Sequence, residues 1–220
     1  MTTRITFEQE LKELNKSLEE MGLFVEDALE KLTQAIETRD TGLAESMIKN
    51  DRYVNDMERT IESKCLSLIT RQQPIARDLR MISAVLKVVT DIERVGDHVV
   101  DIAELLVRFE GQDPCMISSH IPVMLVAAKE MVKDAIEAFV GKSVEDAGKV
   151  IASDDVVDNL FNRVKADVIE NLRTERGNED HCIDTVNIAK YLEKIGDHAV
   201  NIAEWEVFKE TGSIEKVRLL

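Results

Sequence analysis

The stretch ERVGDHVVDIAE at residues 93–104 returns a hundred residues later as EKIGDHAVNIAE at 193–204. Eight of the twelve positions are identical and most of the differences are conservative, so this pair decides how the chain is read. Outward from it, Asp51, Val54, Asn55, Met57 and Ile61 correspond to Asp154, Val157, Asp158, Leu160 and Val164. Further upstream, VEDALE at 25–30 corresponds to VKDAIE at 132–137. Three matches in one order identify an internal repeat.

Each matched segment carries apolar residues at three- and four-residue spacing, the pattern of an amphipathic helix. Leu11, Leu14, Leu18, Met21, Val25, Leu29, Leu32 and Ile36 predict a first helix over 5–38, ending near Asp40. A second is expected over 40–70, and a third from Pro74, read as a first-turn proline, to about Phe109. Residues 111–119, with Pro114 inside, read as the linker. Beyond it, Ser119 is the expected cap and Pro122 the opening of a fourth helix to about Val140. A fifth is expected over 143–175, a turn at 176–178, and a sixth to about Glu210. The expected fold is all-α: two tandem three-helix bundles, 1–112 and 113–220, packed side by side. Aliphatic residues without many aromatics suit such seams, and aromatics are only 4% of a chain that is 44% hydrophobic.

The formal net charge of -15 argues against nucleic acid and anionic membranes as partners, since both need a basic footprint. It also disfavours direct, metal-free phosphate binding and favours cations or a positively charged partner surface. Cys65, Cys115 and Cys182 are widely spaced and odd in number, which predicts free thiols in a reducing compartment. The polar N-terminus and the lack of an apolar run approaching ~18 residues predict a cytoplasmic protein without membrane insertion.

On a helix, Glu93, Asp97 and Asp101 fall on one slanted stripe, where like charges repel by a few tenths of a kcal/mol per pair. The stripe borders the apolar arc of Ile92, Val95, Val99 and Ile102, so its carboxylates are partly desolvated. The second helix carries Asp51 with Asn55 at the same spacing, and its repeat carries Asp154 with Asp158. If the second and third helices pack antiparallel, two acidic stripes face each other and supply four or more oxygen ligands. Such donors suit magnesium, calcium, manganese or iron more than copper or zinc. Gly96 and Gly196 sit inside helices at ~1 kcal/mol each relative to alanine. Either another backbone or ligand approaches there, or the helices pack tightly. His98 and His198 lie about 100° off the acidic stripe, which favours a polar or interface role over metal ligation. Arg71, Arg77 and Arg80 surround Pro74, where an acidic or phosphorylated partner could dock. No Gly-rich phosphate loop, GxSxG, HExxH or Glu-x-x-His pair is present to indicate catalysis.

RQQPIARDLR at 71–80, DIERVGDHVVDIAE at 91–104 and KYLEKIGDHAVNIAEW at 190–205 resemble the PhoU family of phosphate-transport regulators, over essentially the whole chain. The resemblance implies a six-helix, pseudo-twofold, often homodimeric protein that represses the phosphate-starvation response. Its implied partners are the ATPase subunit of a high-affinity phosphate ABC transporter and a sensor histidine kinase. It implies Glu/Asp-x-x-x-Asp metal motifs, some holding multinuclear iron clusters. By position the ligands would be Asp51, Glu93, Asp97, Asp154, Asp158, Glu193 and Asp197, with Asn55 where Asp158 stands in the second half, or a slightly shifted register, since Val54-Asn55-Asp56 stands opposite Val157-Asp158-Asn159. Asp101 and Asn201 are outer candidates. The expected cofactors are metal ions: iron, manganese, magnesium or zinc. Two other classes stay open on the residues alone, a metal-dependent carboxylate-bundle enzyme and a helical scaffold, as does a regulator of a different transporter.

Overall fold

The structure, a computed structural model, describes residues 2–49, 52–111, 117–174 and 179–213, with side chains from residue 7. The helices are α1 Thr2–Thr38, α2 Thr41–Lys49, α3 Arg52–Gln72, α4 Ala76–Val107, α5 His120–Gly141, α6 Val144–Thr174 and α7 Glu179–Thr211. No strand occurs among the described residues. The expected second helix is described as two pieces, α2 and α3, on either side of residues 50 and 51. Its counterpart α6 is continuous. Asp51, Cys115, Pro114 and the turn expected at 176–178 lie outside the described residues.

The same turn opens both second helices. Arg39 and Lys142 take left-handed backbone angles, φ 55° and 61°, and the next amide bonds back to Ala35 and Ala138 respectively. The following residue then caps: Asp40 Oδ1 accepts from the Leu43 amide at 2.9 Å, and Ser143 Oγ accepts from the Asp146 amide at 3.2 Å. Two local expectations are corrected. Pro74 precedes the N-cap, Ile75, and so lies in the turn before α4, where Gln73 and Ala76 both have positive φ. At α5, Ser119 makes no cap bond; Ser118 Oγ accepts from the His120 amide at 3.2 Å instead.

Within the first half α1, α3 and α4 pack on one another with α2 against α4, and within the second half α5, α6 and α7 do the same. The halves meet along two lines, α4 against α7 and α1 against α5. Arg77 pairs with Glu210 at 3.1 Å and Arg108 with Asp184 at 3.0 Å, so α4 and α7 run antiparallel. One continuous core results, from Leu14, Leu18 and Met21 on α1 to Leu192, Ile195 and Ile202 on α7, all fully buried. The matched motifs thus stand at equivalent places on either side of the α4–α7 seam.

Candidate metal-binding face

Gly96 and Gly196 set how closely the second and third helices of each half approach. A Cβ on Gly96 would meet Val54 Cγ1 at 3.2 Å, and one on Gly196 would meet Val157 Cγ1 at 3.5 Å. Val54 and Val157 are matched positions; packing is tight enough to explain Gly96, whereas Gly196 has room for a methyl. This contact brings α3 beside the acidic stripe of α4, and α6 beside that of α7.

In the second half, Asp154, Asp158, Glu193 and Asp197 share one patch. Burial pushes the Asp154 carboxyl above its usual range, and Asp158, Asp197, Asp155 and Glu193 push it the same way. Lysines partly balance the patch: Lys190 pairs with Glu193, and Lys194 with Asp197 and, at 3.6 Å, with Glu193. In the first half Arg94 takes that position, 3.6 Å from Glu93 and 3.2 Å from Asp97. The Glu93 and Glu193 side chains are only 13% and 16% exposed, so their charges sit in partly desolvated ground. Asn55 Oδ1 is buried without a hydrogen-bond partner on the protein.

The outer candidates behave differently. Asp101 turns to the seam and meets His98 Nδ1 at 3.2 Å, and Asn201 Nδ2 donates to Asp91 Oδ1 at 3.1 Å. Neither is drawn toward α3 or α6 by those bonds. Among the described residues no three His, Cys, Asp or Glu side chains form a ready ligand cage. The donor chemistry nevertheless suits a hard cation, because carboxylates that raise one another's proton affinity are relieved by positive charge. The orphaned Asn55 oxygen, on the matched helix α3 of the first half, is one more acceptor.

The PhoU domain model matches this chain twice, over residues 18–106 and 121–205. The chain belongs to the PhoU family. It is 37% identical over 211 residues to a phosphate-specific transport system accessory protein PhoU homolog of Clostridium acetobutylicum, covering 96% of each chain. It is 33% identical to the homolog of Aquifex aeolicus, covering 94% of this chain and 97% of that one. Its fold matches the crystal structure of PhoU from Pseudomonas aeruginosa, with a TM-score of 0.88 at 29% identity, covering 94% and 100% of the two chains. The phosphate transport system regulatory protein PhoU from Streptococcus pneumoniae gives the same TM-score at 25% identity, covering 94% and 98%.

Two features of this PhoU-family chain escaped the reading of its motifs. Glu58, one turn after Asn55, lies within electrostatic reach of Asp97. Burial and Glu62 push its carboxyl up, and Arg94 opposes them. Its matched residue is Phe161, which Lys165 and Lys190 approach at 4.5 and 5.5 Å from the ring centre. The spacing of Asn55, Glu58 and Glu62 at three and four residues was the available signal. The second feature is a Ser–His–Asp group at the α5 entrance. Ser118 Oγ donates to Asp167 Oδ2 at 2.5 Å, and His120 Nδ1 meets the same oxygen at 2.8 Å. A nucleophile needs its histidine between serine and acid. Here both partners hold the acid, so the group ties α5 to α6.

Two of the arginines near Pro74 make ion pairs within the chain while staying largely exposed, and the third, Arg80, has a buried Nε without a hydrogen-bond partner. Arg71 pairs with Glu10 at 2.7 Å and Arg77 with Glu210, while Arg80 lies under Gly212. Cys65 and Cys182 are buried, and burial pushes the Cys65 thiol up to about 12. No helix among the described residues is long and apolar enough to cross a membrane.

Proposed function

We propose that this protein is a cytoplasmic, non-enzymatic regulator of phosphate transport that represses the phosphate-starvation response. In this reading it couples the ATPase subunit of a high-affinity phosphate ABC transporter to a sensor histidine kinase, acting as a homodimer. The observation that carries the reading is the double match to the PhoU domain across both halves, with relatives named as phosphate-specific transport accessory proteins. The relatives' names, accessory and regulatory proteins of phosphate transport, support an adaptor over a catalyst.

We further propose that the two acidic faces bind metal ions such as iron, manganese, magnesium or zinc. Asp154, Asp158, Glu193 and Asp197 hold the cation in the second half; Asn55, Glu93 and Asp97, with Glu58 beside them, hold it in the first. A bound cation supplies positive charge that offsets carboxylate repulsion. The residues do the positioning: Val54 packs on Gly96 and Val157 on Gly196, which keeps α3 beside the stripe of α4 and α6 beside that of α7. Lys190, Lys194 and Arg94 hold the stripes when no cation does, and are free to pair with a partner's acids when one does.

Deleting the gene tests the regulatory reading. Phosphate-starvation promoters are expected to stay active in phosphate-rich medium, and the wild-type gene to restore repression. Normal repression in the deletion strain refutes the role and favours regulation of a different transporter.

A further inference from the structure

His98 and His198 occupy matched positions on α4 and α7 and face each other across the seam between the halves. Their ring centres are 5.6 Å apart with planes tilted by 33°. Each ring is backed by a carboxylate at Nδ1: His198 by Asp91 at 2.8 Å and His98 by Asp101 at 3.2 Å. Asp91 also accepts from Asn201, so it is oriented by two donors. A carboxylate on Nδ1 holds the proton there and leaves Nε2 as the lone-pair nitrogen, the arrangement that metal-bound histidines adopt. Among the described residues no protein group hydrogen-bonds either Nε2. The side chains are 18% and 19% exposed, which shelters the rings and still admits a small ion from water.

We propose that His98 and His198 together bind one late first-row transition-metal ion, Zn2+, Cu2+ or Ni2+, through their Nε2 atoms. This site is separate from the carboxylate faces: its donors are imidazole nitrogens, which suit these ions, where the stripes offer hard oxygens. The ring separation fits a shared ion. With metal–nitrogen bonds of about 2.0–2.1 Å, two imidazoles on one ion have ring centres roughly 5 Å apart at a tetrahedral angle and roughly 6.4 Å apart when opposite. The observed 5.6 Å lies between these. No third His, Cys, Asp or Glu among the described residues completes a cage, so water fills the remaining positions. Tyr191, with its ring centre 5.4 Å from His98, walls one side. Because one ligand comes from each half, an ion here clips α4 to α7 and couples the two repeats.

Copper supplies the probe. Purified, chelator-treated protein with one equivalent of Cu2+ is expected to show two imidazole nitrogens in pulsed electron paramagnetic resonance. His98→Gln and His198→Gln should each leave one such nitrogen and weaken Cu2+ binding at least tenfold in calorimetry against a competing chelator. The combined variant should show none, while Glu193→Gln with Asp197→Asn should keep both. An oxygen-only signal in the wild type overturns the proposal. So does a two-nitrogen signal surviving in both single variants, which would place the copper elsewhere on the chain. The wild-type and single-variant spectra decide the matter even if the combined variant fails to fold.

Discussion

Replacing each motif glycine by alanine separates the two halves of the repeat. Both glycines are buried inside helices, where alanine is favoured by about 1 kcal/mol. At Gly196 the added methyl would lie 3.5 Å from Val157 Cγ1 and 3.8 Å from Asp154 Oδ1, ordinary contact distances. Gly196→Ala therefore keeps the helix gain and stabilises the protein by about 0.5–1 kcal/mol. At Gly96 the methyl would meet both Val54 methyls, at 3.2 and 3.3 Å. Val54 is 6% exposed and must give by a few tenths of an ångström, and such overpacking costs about 1–3 kcal/mol. The net for Gly96→Ala is a loss of up to about 2 kcal/mol, since the helix gain still applies. In a chain of this size 1 kcal/mol moves the melting temperature by about 2–4 °C. Gly196→Ala should thus melt a few degrees above the wild type and Gly96→Ala below it, with the same order in urea midpoints. Equal shifts of one sign, or a Gly196→Ala that melts lower than Gly96→Ala, would refute the packing argument.

The acidic faces predict a thermal response to metal: an ion at a hundred times its dissociation constant stabilises by about 2.7 kcal/mol, or about 5–10 °C. Glu193→Ala with Asp197→Ala should remove the larger share of the rise with manganese or iron, because Asn55 is neutral where Asp158 is charged; variants that respond like the parent make the stripes ordinary surface. The buried ion pair of Glu206 and Lys209 is peculiar to the second half, whose matched residues in the first are Leu106 and Phe109. Glu206→Leu alone should cost about 3–5 kcal/mol in urea unfolding by leaving a buried charge, whereas Glu206→Leu with Lys209→Phe should be neutral or stabilising. Burial raises Glu206 from 4.5 to about 7 in the folded chain, so the folded state holds a proton that the unfolded one has released. Stability should therefore fall as pH rises across that interval, and the double variant should flatten the slope. Hydrogen bonds from Ser118 and His120 hold Asp167 below its ordinary 3.8, so the stability they add is present above that pH and lost as acid protonates it. Ser118→Ala should cost about 1 kcal/mol at neutral pH and shrink that acid-labile part, as read by melting at pH 7 and pH 3.

The sequence by itself determined the helices, their order and the repeat. Their three- and four-residue periodicity is local, and duplication copies it in register, so ERVGD and EKIGD located α4 and α7 without coordinates. It also located the carboxylates, since spacing along one helix decides which side chains share a face. Capping was legible only to within a residue: Ser118 rather than Ser119 bonds the α5 entrance, because Asp167 on α6 pulls Ser118 into place. Only the tertiary structure decided what each stripe faces. Asn201 belongs to the α4–α7 seam because it donates to Asp91 across it, and Asp101 is held by His98, whose ring faces His198 there. Glu58 joins the first face, and Glu206 and Lys209 are buried, for the same reason. Which charges lose their water depends on how whole helices pack, and periodicity along one helix carries no record of its neighbour.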